Sequence, residues 1–371
     1  MAIRPLRTGF KAARNHPALI ITLFATASLA NTTRADEAAF HGLGDLAGGA
    51  VGGHALGVSA DGSVVTGQAT GSRGREAVRW QRGKLSRLGT MPGGNTTVEG
   101  RSASADGTVI VGSGRSQAGA LAIYWRDGAM TNLGDLDGGA TASSAIGVSA
   151  DGSVVVGYSA SASGVEAFRW KQGEMQGLGD LPGGPFFSRA LAISHDASTV
   201  VGQSHGEKGG EAVRWRGGSI EALGHLPGRN DSSAALGVSH DGRIIVGVSR
   251  SANESEATRW SSGVMTGLGD LPGGAFHSIA RGVSADGAIV VGRAASARGN
   301  EAFIWSEAEG LRSLRVLLLE SLPSELTGWR LTDARAISAD GLTIVGFGIN
   351  PAGAREGWVA ILAAPTPSGE P

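Results

Sequence analysis

Short runs of β-branched and small apolar residues alternate with turn signals along residues 36–362. In residues 145–184 the pattern reads AIGVS, ADG, SVVVGYS, ASASGV, EAFRW, KQGE, MQGLGDL, PGG, which predicts four short strands separated by tight turns. Val154, Val155 and Val156 suit a buried strand. Ala150-Asp151-Gly152 suits a hairpin turn, in which Asp bonds nearby backbone N–H groups and Gly takes positive φ. The pattern recurs: Trp80, Trp125, Trp170, Trp215, Trp260 and Trp305 stand 45 residues apart. Asp61, Asp106, Asp151, Asp196, Asp241 and Asp286 keep the same step, and Asp340-Gly341 adds another turn. A repeat of this length holding several strands marks a radial β architecture.

The two ends of the array complement each other. Gly42-Leu43-Gly44-Asp45-Leu46 matches the fourth strand of a unit (residues 177–181), whereas the last unit supplies ARAIS, LTIVGFG and EGWVAIL and then stops one strand short. Pairing the first segment with the last three would complete a final sheet and remove exposed edges. The expected fold is therefore all-β, a seven-bladed β-propeller of 45-residue four-stranded repeats over residues 36–362, closed by an N-terminal strand that completes the last blade. A linear β-solenoid would leave the end strands unpaired. Residues 310–331 lengthen the Asp step from 45 to 54 and carry the one apolar run of helical character, predicting a short helix or loop on the rim. Residues 363–371 are polar and Pro-rich, predicting a disordered tail.

Repetition also argues against catalysis by the repeated residues. Chemistry needs one differentiated site, whereas a turn aspartate or a packing tryptophan is needed once per unit. Composition narrows the setting. Arg4, Arg7, Lys11 and Arg14 precede an apolar run over residues 18–30 with small residues at Ala30 and Ala35, the pattern of a secretory signal peptide over residues 1–35. The run is too short to span a bilayer, and no other stretch could, so no transmembrane segment is expected in the mature chain. Cleavage after Ala35 removes five basic residues and no acidic ones, leaving 27 Lys plus Arg against 33 Asp plus Glu, a formal charge of −6. Nucleic acid is not an expected partner for such a surface. The absence of Cys excludes disulfides and thiolate chemistry in an exported, oxidising setting. No cofactor or metal is expected, since metal-ligand spacing, nucleophile elbow, P-loop and dinucleotide fingerprint are all missing.

Up-and-down strand order places the Asp-Gly turns at one end of the array and the variable loops at the other. At the start of each inner strand, repeat-equivalent positions read His54, Glu99, Ser144, Arg189, Ala234, Ile279 and Asp333. Nearby loops add Phe186, Phe187, Asn230, Asp231, Phe276, His277 and Trp329. Convergent polar groups with aromatics at a concave mouth suit a ligand, sugars in particular. The candidate ligand-binding residues are thus His54, Glu99, Arg189, Asp333, Phe187, His277 and Trp329.

The units, of the form LGDLPGG, A-x-GVSADGSVVVG and EAFRW, resemble the HAF-type extracellular repeats of bacteria over residues 42–362. Glu166-Ala167-Phe168 carries Glu where that family has its eponymous His. The Ser-x-Asp-Gly hairpin is also similar to the repeat of TolB-type propellers. The resemblance implies an exported, secreted or surface-associated repeat protein of unassigned activity. The expected function is a monomeric binding or scaffold module for a glycan or cell-surface protein. The alternatives are a polysaccharide lyase or glycosidase using a carboxylate pair such as Glu99 and Asp333, and a structural envelope protein.

Overall fold

The computed structural model describes residues 37–49, 52–89, 98–228, 232–251 and 254–364. The predicted signal segment, residues 365–371 of the expected tail, and Asn230 and Asp231 lie outside the described residues.

The valine-rich run forms a middle strand, Val154–Ser161, which pairs antiparallel with Ser143–Val148 on one side and Gly164–Lys171 on the other; Glu174–Gly177 completes the order. This order repeats, giving five four-stranded sheets and one eight-stranded sheet among the described residues. The larger sheet arises where Gly183–Ile193, longer than its counterparts, meets Gly164–Lys171 through a parallel bridge between Val165 and Phe187.

Consecutive units pack face to face. Val156 and Ala167 of one unit share a buried cluster with Ala190, Val200, Val213 and Trp215 of the next. The tryptophans tie neighbours together. The indole N–H of Trp215 donates to the Leu178 carbonyl at 3.0 Å and that of Trp260 to Leu223 at 3.0 Å; Trp80 makes the equivalent bond to Leu43. Trp80, Trp125, Trp215 and Trp260 are buried, while Trp170 and Trp305 are half-buried against the same kind of cluster. A large ring that spans two units is a packing anchor, and in Trp80, Trp215 and Trp260 its one polar atom is satisfied on the neighbour's backbone, while the buried Trp125 N–H finds no partner among the described residues.

The Asp-Gly turns are built as the sequence suggests. The Ser149 hydroxyl donates to Asp151 Oδ1 at 2.6 Å, the Ser153 N–H donates to the same oxygen at 3.0 Å, and the Val154 N–H donates to Ser149 Oγ. The Ser149 hydroxyl, followed by the Ser153 N–H, holds the Asp151 carboxyl down at about 2, and Ser194 does the same for Asp196. Gly152 takes φ +69° here, and in the one turn without glycine Ala197 adopts φ +59°. Successive turns also bond to one another: Ala60 N–H to Ala105 O, Ala105 to Ala150, Ala150 to His195, His240 to Ala285, Ala285 to Ala339, and Ala339 back to Ala60. Between His195 and His240 the imidazoles stack at 3.9 Å.

The N-terminal strand is Ala39–Gly42 and pairs antiparallel with Arg355–Ile361, His41 lying opposite Val359. The expectation placed this strand at residues 42–46, starting three residues and ending four residues too late. The reason is local. Gly44 takes φ +66°, as its counterparts Gly134 (+83°), Gly179 (+71°) and Gly269 (+81°) do, and a strand cannot run through the left-handed region. Leu43 N–H still donates to the Gly357 carbonyl of the paired strand, after which the backbone turns to other partners, Gly44 N–H to Glu356 Oε1 and Leu46 N–H to Asp45 Oδ1.

The lengthened connection folds as the strand Gly310–Ser313 followed by the helix Leu314–Leu319, with the Ser313 side chain accepting the Val316 N–H as N-cap. Leu314, Leu318, Leu322 and Leu326 are buried together with Phe40, Trp329 and Trp358, so this segment covers the sheet that joins the two chain ends.

Candidate functional site

Each first strand enters at the end opposite the Asp-Gly turns. In four units a buried serine fixes the entry. Ser143, Ser188, Ser233 and Ser278 donate to the carbonyls of Gly134, Gly179, Gly224 and Gly269 and accept the N–H of Ala122, Ala167, Ala212 and Ala257. The residue that follows is the variable one, and because strand side chains alternate, the residue two further on shares its side.

Those second residues line a cavity of about 300 Å3 enclosed by the first strands of every unit. They are Leu56, Arg101, Ile146, Leu191, Leu236, Arg281 and Arg335. Three cations therefore stand on one arc and three aliphatic side chains on the opposite arc. Toward the Asp-Gly end the lining becomes Val, Ile and Ala, with His195 and His240 at the last level.

The predicted carboxylates sit beside these arginines. Asp333, its side chain 2% exposed, accepts Arg281 Nε on Oδ1 at 2.9 Å and faces Arg335 from Oδ2 at 3.7 Å. Glu99 Oε1 accepts Arg101 Nε at 2.7 Å and the Ser113 hydroxyl at 3.1 Å. Burial, then the neighbouring Arg281, pushes Arg335 down to about 10, against the pull of Asp333; it remains a cation at neutral pH.

The other predicted residues are more dispersed. Arg189 lies over the rings of Tyr158 (4.6 Å) and Phe187 (4.9 Å), and Phe187 in turn stacks on His205 at 4.4 Å. Phe187 belongs to the extended strand Gly183–Ile193 and not to a loop. His277 approaches Arg293 Nη2 at 3.5 Å, and its N–H donates to Asp270. Trp329 is buried edge-on against Phe40 at 5.2 Å, inside the core. A second cavity of about 460 Å3 includes Asp333 of the predicted set, with Arg293, Arg330, Phe347 and Arg355. The arginines at 101, 281 and 335 escaped the sequence reading, although the signal was present as a column of Leu and Ile interrupted three times by Arg.

His54 accepts the Gln68 Nε2 N–H on Nδ1 at 3.1 Å and packs edge-on against Phe347. Burial, then Arg355, Arg75 and Arg335, lowers its pKa to about 4, with Glu99 opposing. Since the unfolded chain takes up this proton near 6.5 and the folded chain only near 4, stability falls as pH drops through that window. His54→Asn should flatten the decline in urea-unfolding midpoint between pH 6.5 and 4; an unchanged decline would contradict the assignment.

Compared with known proteins, the chain matches no protein-family model and no curated sequence. Solved structures do resemble it. The β-propeller domain of the Trilobed protease from Pyrococcus furiosus, described as having an open velcro topology, aligns at TM-score 0.54 and 12% identity, covering 86% of this chain and 95% of that one. Oligogalacturonate lyase from Vibrio parahaemolyticus aligns at TM-score 0.52 and 11% identity, covering 83% and 88%. TolB from Acinetobacter baumannii aligns at 0.50 and 13%, covering 68% of this chain; the match spans 63% of that protein's length. With its antiparallel four-stranded sheets, the chain is a β-propeller protein.

Proposed function

We propose that this chain is an exported propeller of the HAF-type repeat class with seven blades. In this reading the ring is closed by Ala39–Gly42, and the protein acts as a binding or scaffold module whose glycan or cell-surface protein ligand meets the variable end. Export rests on the basic and apolar pattern of residues 1–35. Among the described residues no helix is long and apolar enough to cross a membrane. Closure is supported by the strand pairing of the two chain ends and by turn-to-turn contacts from Ala60 back to Ala60, which are hydrogen bonds at every step except His195 to His240, where the imidazoles stack.

The observation that carries the binding reading is the state of the two carboxylates. A glycosidase, or a lyase working through this pair, needs one of the two carboxyls free to exchange a proton with substrate. Asp333 is buried with an arginine on each oxygen, and Glu99 is held by Arg101 and Ser113. Both serve to orient guanidiniums, which suits recognition. A glycan-array screen, followed by reducing-sugar and unsaturated-product assays on each hit, tests this. Saturable binding without turnover is expected. Turnover abolished by Glu99→Gln or Asp333→Asn would replace it with the enzyme reading.

A further inference from the structure

We propose that the central cavity binds a small amphipathic organic anion, with its charged head on Arg101, Arg281 and Arg335 and its apolar part against Ile146, Leu191 and Leu236. This rests on the reading of the chain as a binding module and names the chemistry of its ligand.

The repeat supplies the control. At this level of the first strand, four units carry Leu or Ile, so the fold itself asks only for an aliphatic side chain. Arginine at the other three is an exception that packing does not require. Even partly withdrawn from water, as these three are, a cation carries a desolvation cost that an aliphatic side chain avoids. The three are also grouped: Arg281 and Arg335 come from consecutive units, and Leu56 alone separates Arg335 from Arg101 in unit order.

Charge does not balance within the group. Three guanidiniums face two carboxylates, Glu99 and Asp333, which leaves one positive charge in a space that is otherwise aliphatic. Arg281 uses Nε for Asp333, and Arg335 stands 3.7 Å from the same carboxylate, outside hydrogen-bond distance, so N–H donors remain for a ligand. Burial and the adjacent cations already depress Arg335, and an arriving anion relieves that repulsion. Guanidinium forks suit carboxylate or phosphate oxygens. A bare inorganic anion would satisfy the arginines and leave Ile146, Leu191 and Leu236 facing water. A cavity of about 300 Å3 has room for a head group with a short chain.

Titration calorimetry on the full chain with octanoate, octan-1-ol, acetate and inorganic phosphate tests this directly. Octanoate should bind one to one, more tightly than the other three. Arg101→Gln, chosen because its ion pair is partly exposed, should weaken octanoate by about tenfold, the loss of one charge-assisted hydrogen bond. Leu191→Asp should weaken it as well, with unfolding midpoints confirming that both variants fold. Octan-1-ol or phosphate binding as tightly as octanoate, affinity unchanged in Arg101→Gln, or no octanoate binding would overturn the anion assignment. The glycan array on the same preparation separates the two ideas. If octanoate fails while an uncharged glycan binds saturably, the anion site falls and the binding module stands. If neither binds, the anion site falls together with the glycan form of the binding reading.

Discussion

Replacing Trp215 by Ala should lower the unfolding free energy by about 3 to 5 kcal/mol, the usual cost of truncating a large aromatic in a packed core. The ring is 4% exposed and sits among Val156, Ala167, Ala190, Val200 and Val213, drawn from two consecutive units. Its removal opens a cavity between the units and strands the Leu178 carbonyl, which loses the indole N–H at 3.0 Å. Trp215→Phe separates the two contributions, because it restores most of the packing and none of the hydrogen bond. Its deficit should be markedly smaller. Urea unfolding followed by far-UV circular dichroism measures both, and a Trp215→Ala loss below about 1 kcal/mol, the level of an ordinary surface change, would remove the tryptophan from its anchoring role.

A smaller but still large loss, about 2 to 3 kcal/mol, is expected for Arg281→Met, because it strips the buried Asp333 carboxylate of its charge-assisted hydrogen bond. Asp333 is the residue left behind, with Arg335 at 3.7 Å as its remaining cation. The contact also joins two consecutive units, since Arg281 lies in Ser278–Val283 and Asp333 in Arg330–Ile337. Adding Asp333→Leu to Arg281→Met should restore much of the stability, as apolar replacement of both partners often does. If the double variant is as unstable as the single one, the ion pair is not what the single substitution breaks.

The period, the turns and the tryptophan anchors were legible in the sequence because each is a local rule repeated in register: Asp then Gly for a tight turn, β-branched residues for a buried strand. The fourth strand was displaced by three to four residues because LGDL looks extended, whereas Gly44 and its counterparts turn the backbone at positive φ and end the strand before it. The variable column stands at the start of each first strand, and what its members do depends on contacts that sequence spacing does not show. Asp333 finds Arg281 52 residues away, and Glu99 serves Arg101 two residues along the same strand. Trp329 looked like a rim aromatic; its partner Phe40 lies at the opposite end of the chain, and only the joining of the ends buries both. The arginines lining the cavity were passed over for a simpler reason. They stand two residues beyond the column that varied most, where most units carry Leu or Ile.

Whether those columns converge on one cavity depends on the first and last strands sharing a sheet, and a pair of cysteines tests that directly. The chain has no native Cys, so His41→Cys with Val359→Cys introduces the only thiols, at directly paired positions of the Ala39–Gly42 and Arg355–Ile361 strands. Directly opposed residues of an antiparallel pair lie within disulfide reach. Under mild oxidation the variant should lose both free thiols on titration and run as an intramolecularly crosslinked monomer on a non-reducing gel. Two titratable thiols persisting in the folded, oxidised sample would mean that the chain ends do not meet, and that the ring is open.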